Sequence, residues 1–237
     1  MNTPYAWQTT TARAGSAVFD EGLRQHMLRV YNYIGIGLVV TGLVAFFVAS
    51  TPALYVPIFQ TPLKWVVMLA PLAFIFFSFR IDRMTAASAR TAFFAFSAVM
   101  GLSLASVFLV FTGASIARTF FITAAMFGAT SLYGYTTKRD LSKFGSFLIM
   151  GLIGIVIASL VNIFLASSAL QFAISIIGVL VFTGLTAYDT QSIKERYAEG
   201  YGHEANNKMA VFGALSLYLN FINLFQLLLS LTGQREE

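Results

Sequence analysis

Apolar residues follow one another in long runs through nearly the whole chain. Seven runs can be traced: Leu28–Ala49, Leu63–Phe79, Thr91–Thr112, Ile116–Tyr135, Phe144–Ala166, Leu170–Tyr188 and Met209–Leu231. Each approaches the ~20 residues that an α-helix needs to cross a bilayer core, and the second is the shortest. The pattern predicts an all-α polytopic membrane protein. A flexible cytoplasmic tail over residues 1–22 precedes a seven-helix transmembrane domain over residues 23–237. The tail does not resemble a signal peptide, because the run after it is too long and no small-x-small cleavage site follows closely.

Polar residues inside the runs are the candidate chemistry. Asp189 is the only acid within or at the edge of a run. In the seventh run Ser216, Asn220 and Asn223 are spaced by four and three, so they share one helix face, which Gly213 extends. Polar groups are expensive in lipid, so this stripe is expected to look into the bundle or a cavity. Asp189 is the candidate proton or cation site, and Ser216, Asn220 and Asn223 the candidate pore face. Arg80, at the same end of the second run, is the candidate partner of Asp189 in a gate. Protonating Asp189 would release Arg80 and make opening depend on pH. Small residues at Gly101 and Ala105, Ala124 and Gly128, Gly151 and Gly154, and Ala210 and Ala214 are spaced for close helix packing in a compact bundle.

Composition narrows the class. Apolar residues make up 57% and charged residues only 11%. A soluble domain carries roughly a quarter charged residues, so a soluble core is excluded. The chain has no cysteine, and His26 and His203 lie outside the runs. Disulfides, thiol catalysis, cysteine zinc sites and an intramembrane histidine metal site are therefore excluded.

Charge sets the orientation. Arg13, Arg24 and Arg29 lie in the tail and at the entry to the first run; Arg80, Arg83 and Arg90 follow the second; Lys138, Arg139 and Lys143 follow the fourth; Lys194, Arg196 and Lys208 follow the sixth. With seven alternating spans these twelve face one side, against Lys64, Arg118 and Arg235 on the other. The positive-inside bias predicts a multi-pass inner (plasma) membrane protein with its N-terminus cytoplasmic and its C-terminus outside. The net charge of +5 is a topology signal, and no nucleic-acid partner is expected.

Three enzyme classes fail on their residues. Tyr188-Asp189 fits half of an intramembrane aspartyl protease, but the seventh run holds no second acid. Gly101-Leu-Ser-Leu-Ala is the nearest approach to a serine-protease motif, and no span has a histidine. A His-Glu-x-x-His motif is absent. No enzymatic activity and no cofactor are expected, calcium being at most a transported species.

Ala187-Tyr-Asp189-Thr-Gln191, followed by Gly213-Ala-Leu-Ser-Leu-Tyr-Leu-Asn220-Phe-Ile-Asn223-Leu-Phe, resembles the Bax-inhibitor (YccA-like) family over about residues 23–231. The resemblance implies a bundle whose seventh helix is central and surrounded by the other six. It also implies a pH-sensitive calcium leak channel, in which an acid at the place of Asp189 shares a proton with a second acid on helix 7 and pairs with an arginine on helix 2. Arg80 matches that arginine by position. Asn220 stands where the family has the second acid. An acid–amide pair has one titrating group and lacks the like-charge repulsion that splits two carboxylates. The expectation is weaker or shifted pH dependence and weaker calcium attraction, with the amide donating to Asp189. Some relatives are linked to regulation of a membrane-bound protease or stress machinery, which makes an interaction protein the alternative.

Overall fold

The computed structural model describes the backbone of residues 6–78, 84–198, 200 and 202–236, and the side chains among them from residue 21 onward except 77 and 78. Among the described residues eight α-helices follow in order: α1 (Ala6–Ala49), α2 (Pro52–Phe59), α3 (Leu63–Ser78), α4 (Ala86–Val110), α5 (Gly113–Thr136), α6 (Ser142–Leu165), α7 (Ser168–Arg196) and α8 (Gly202–Thr232). The backbone of α1 is helical from Ala6, through the segment expected as a flexible tail. No proline interrupts the sequence between Pro4 and Pro52.

Six helices, α1 and α4 to α8, are individually long and apolar enough to cross a membrane. The second predicted span departs from this pattern. Residues Pro52–Phe59 and Leu63–Phe76 bend by 90° at the break between them, and count as a seventh span only if the pair is taken together. Pro52 opens α2, Pro57 lies inside it, and Pro62 precedes α3, so the chain turns where backbone donors are missing. The starts of α4, α5 and α7 are capped by hydroxyls. Thr85, Thr112 and Ser167 accept the amides of Ser88, Ser115 and Leu170 at 3.2, 3.3 and 3.3 Å.

Helix α8 is the axis of the bundle. Half of its span window is buried, against 6% for α6. Its main packing partners are α1, α4, α5 and α7, whereas α3 packs mainly on α4 and α6 on α7. Four helices therefore surround it closely where six were expected. Tyr218 of α8 is fully buried and meets Phe93 and Phe96 of α4 edge-on at 5.6 and 5.9 Å. Its hydroxyl lies 2.6 Å from the Thr41 hydroxyl, which is 2.9 Å from the carbonyls of both Gly37 and Ser97. Carbonyls only accept, so Thr41 donates to them and Tyr218 donates to Thr41. One side chain thus ties α8 to α1 and α4.

Close helix contacts rest on particular glycines. A Cβ on Gly101 would lie 2.6 Å from the Thr41 carbonyl oxygen, and one on Gly134 would lie 2.3 Å from that of Ala187. Ala105, Ala210 and Ala214 are fully buried, but Gly128 and Gly154 face open space. The small-residue pattern is therefore only partly used for packing.

The bundle has two polar ends. At one, the Arg29 guanidinium donates to Asn207 Oδ1, and Glu204 Oε1 accepts the Ala86 amide at 2.6 Å. Gln191 bridges the Leu141 amide and the Arg139 carbonyl, each at 2.8 Å. At the other end, the Thr112 amide donates to the Gln234 carbonyl and the Glu236 amide to the Val110 carbonyl, both at 3.0 Å. Nine of the basic residues belong to segments at the first end: Arg24, Arg29, Arg90, Lys138, Arg139, Lys143, Lys194, Arg196 and Lys208. Lys64, Arg118 and Arg235 belong to segments at the second.

Candidate functional site

Asp189 lies near the C-terminal end of α7, facing α8. Ser216 and Asn220 stand one helical turn apart on α8, so their side chains converge on one point. Ser216 Oγ donates to Asp189 Oδ2 at 2.6 Å, and Asn220 Nδ2 donates to the same oxygen at 2.7 Å. Among the described residues neither bond reaches Asp189 Oδ1. Asn220 is 5% exposed, and Asp189 and Ser216 are half-buried. The expected amide–carboxylate contact is present, and a serine joins it.

The rest of the predicted set divides. Asn223 does not reach Asp189; its Nδ2 donates to the Leu219 carbonyl at 2.8 Å, within its own helix. It does line the same cavity as Asp189, Ser216 and Asn220. Gly213 lines a second cavity on the other side of Asp189. Arg80 lies outside the described residues, and with it the Arg80–Asp189 pair. His26, read as outside the runs, belongs to α1 and is 3% exposed, its ring 5.2 Å from that of Tyr197.

Two cavities meet at the acid. The larger, about 880 Å³, runs along α8 from Ser216 to Ser230 and is walled by residues of α3, α4, α6 and α7. The smaller, about 330 Å³, opens among His26, Ser192, Arg196, Lys208 and Phe212 toward the basic end. Tyr188, Asp189 and Ser216 line both. The knot of one carboxylate and two donors is therefore the partition between them. Arg196 stands two turns beyond Asp189 on the same face of α7, the described cation that shares the acid's smaller cavity along with Lys208. In the sequence it counts only as an orientation charge, because the sixth run ends at Tyr188; the seven-residue spacing from Asp189 is the signal, once α7 continues to Arg196.

One carboxylate beside neutral donors can exchange a proton or attract a cation passing between the cavities. No group of three or more histidine, aspartate or glutamate side chains gathers among the described residues, so a multidentate metal cage is not built there.

Comparison with known proteins follows the same architecture. A family model for inhibitors of apoptosis-promoting Bax1, Bax1-I, matches residues 23–237. The chain is 48% identical over 248 residues to an uncharacterised protein of Caulobacter vibrioides, with 100% of this chain and 99% of the relative covered. It is 46% identical to an uncharacterised protein of Rickettsia prowazekii, with 97% and 98% covered. The inner membrane protein YbhL of Escherichia coli is 47% identical over 218 residues, 90% of this chain and 93% of YbhL. An all-helical membrane bundle, a match over nearly its full length and relatives of this identity lead to one conclusion: the chain belongs to the Bax1-I family, the Bax inhibitors.

Proposed function

We propose that the protein is a cation leak of the inner membrane, passing calcium or protons along the polar face of α8 and gated at Asp189. The observation that carries this reading is the position of Asp189, Ser216 and Tyr188 on both cavities at once. A path between the two ends of the bundle that uses both cavities passes this carboxylate. Its oxygen Oδ2 is held by two donors while Oδ1 accepts from neither of them, so the carboxylate keeps an oxygen to offer an incoming cation.

The proposal includes a topology. The apolar span of α1 (Glu21–Ala49), near its beginning, and the start of α4 both join α8 at the basic end, through Arg29 with Asn207 and Ala86 with Glu204. Helix α1 ends at the opposite side, so the bent α2–α3 pair makes the return crossing and the chain crosses seven times. The basic end then faces the cytoplasm by the positive-inside rule, and the C-terminal segment paired with Val110 and Thr112 faces outward. YbhL's description as an inner membrane protein supports the membrane chosen.

Asn220 gives the gate one titrating acid instead of two. Replacing Asn220 with Asp would place a second carboxylate at the 2.7 Å contact. Two carboxylates so close cannot both ionise freely, and they titrate in two coupled steps. Calcium flux into dye-loaded proteoliposomes, followed across pH, tests this. Wild type should leak above protein-free vesicles, and Asn220→Asp should steepen the pH dependence. An unchanged profile would mean that residue 220 is not coupled to Asp189.

A further inference from the structure

The larger cavity is open on its flank as well as along its length. Helix α3 packs on α2 and α4, and α6 packs on α7, with no substantial packing between α3 and α6 among the described residues. Leu72 of α3 and Val156 and Leu160 of α6 line the cavity while remaining 57%, 51% and 55% exposed. In a bilayer such a gap faces hydrocarbon, and its walls are as apolar as lipid tails.

The polar groups along this opening are graded by depth. Gln171 lies in the first turn of α7, and Ser230 in the last turn of α8. Gln171 Nε2 donates to Ser230 Oγ at 3.4 Å, and Gln171 Oε1 accepts from Asn162 at 3.3 Å. Gln226, one turn deeper, is exposed, lines the same cavity and bonds to none of the described residues. An exposed amide at that depth is costly in pure hydrocarbon and needs a polar partner from outside the bundle. Below it the walls are mostly apolar down to Asn220, interrupted by Ser159 and by Asn223, whose amide is already bonded to the Leu219 carbonyl.

We infer that one acyl chain of a phospholipid from the leaflet at the α8 C-terminal side enters between α3 and α6. Its ester carbonyls lie at Gln171, Gln226 and Ser230, and its tail runs down Leu72, Val156 and Leu160. The length fits. Ser230 to Asn220 spans ten residues of α8, about 15 Å, which is half of the ~30 Å hydrocarbon core and so the reach of one leaflet. The amides of Gln171 and Gln226 supply donors that ester oxygens can accept. The tail ends where the bonded knot of Asp189, Ser216 and Asn220 begins. Lipid thus fills the larger cavity without displacing a protein hydrogen bond, and the tail has to withdraw from the α8 face before a cation can pass along it.

Occupancy does not depend on the leak reading, and its test reads lipid alone. The full chain is reconstituted in vesicles doped with phosphatidylcholine carrying a diazirine on one acyl chain, irradiated, digested and mapped by mass spectrometry. Labels should fall on the cavity side of α8 between Leu219 and Leu229, as well as on outward residues such as Phe147 and Phe164. Leu72→Trp combined with Leu160→Trp should cut the α8 label several-fold and leave the Phe164 label intact, which also reports that the variant is folded. Gln226→Leu should lower the α8 label by weakening the ester contact. Labelling confined to Phe147, Phe164 and other outward positions in the wild type would overturn the inference. Calcium flux with no α8 label would defeat it while leaving the leak standing, and label without flux would do the reverse.

Discussion

Gly134→Ala is the substitution whose effect can be worked most fully from the structure. The added Cβ would lie 2.3 Å from the Ala187 carbonyl oxygen, against the 3.0 Å below which Cβ contacts essentially never occur. The obstacle is backbone, so no rotamer change relieves it, and α5 and α7 must separate by about 0.7 Å. Lipid offers no hydrophobic drive to reseal the gap, so the lost packing is felt directly. Overpacking of this kind costs about 1–3 kcal/mol. Ala187 is two residues from Asp189, whose bonds to Ser216 and Asn220 are 2.6 and 2.7 Å long. The same displacement carried to Asp189 takes both beyond the ~3.2 Å upper range of hydrogen bonds. Gly128, on the same helix, meets nothing within 4 Å, and its replacement by alanine should be neutral or stabilising by up to about 1 kcal/mol. Thermal unfolding of the purified protein in detergent compares the two, and calcium flux reports the site. Gly134→Ala should unfold at lower temperature and leak differently, with Gly128→Ala unchanged in both. If the two variants behave alike, the α5–α7 contact does not hold Asp189 in place.

Further outcomes follow from other contacts. Tyr218→Phe keeps both ring contacts and leaves Thr41 its two carbonyl acceptors, so it should cost only about 0.5–1.5 kcal/mol in the same unfolding assay. Tyr218→Ala should cost about 3–5 kcal/mol, and a Phe variant as damaged as the Ala variant would place the stabilisation in the hydroxyl instead. Asp140, in the loop after α5, is fully exposed, and the Ser142 amide holds its carboxyl below the ordinary carboxylate value, helped by the Ser142 hydroxyl. A depressed folded value stabilises above the unfolded value and is lost as pH falls through the folded one. Asp140→Asn should therefore be slightly less stable than the wild type above the ordinary carboxylate range, converge on it as pH falls through that range, and leave any pH response of flux near neutrality unchanged. A changed neutral-pH flux profile would mean that any pH response of the leak involves that loop.

Much of this molecule is readable in its residues, and the parts that are not share a cause. The long apolar runs mark six crossings because hydropathy needs no partner to be informative. The bend between α2 and α3 has its prolines in plain view at Pro52, Pro57 and Pro62, yet its 90° angle depends on what the turn packs against. The spacing of Ser216 and Asn220 shows a common face, and that face does meet Asp189. Asn223 has the same spacing but turns back to the Leu219 carbonyl, an option that every asparagine on a helix has. Gly101 and Gly128 look equivalent along the chain, and only the neighbouring helix distinguishes them. The gap between α3 and α6 has no signature at all, because it consists of two helices with no substantial packing between them among the described residues.

The central claim is that ions crossing the bundle pass Asp189. Asp189→Ala removes the carboxylate from both cavities and frees Ser216 and Asn220. Calcium entry into proteoliposomes, measured from acid to alkaline pH at matched protein content, compares it with the wild type. The account predicts a wild-type leak whose rate changes with pH and an Asp189→Ala rate that is altered and flat across the range. Identical leaks from the two proteins at every pH would contradict it.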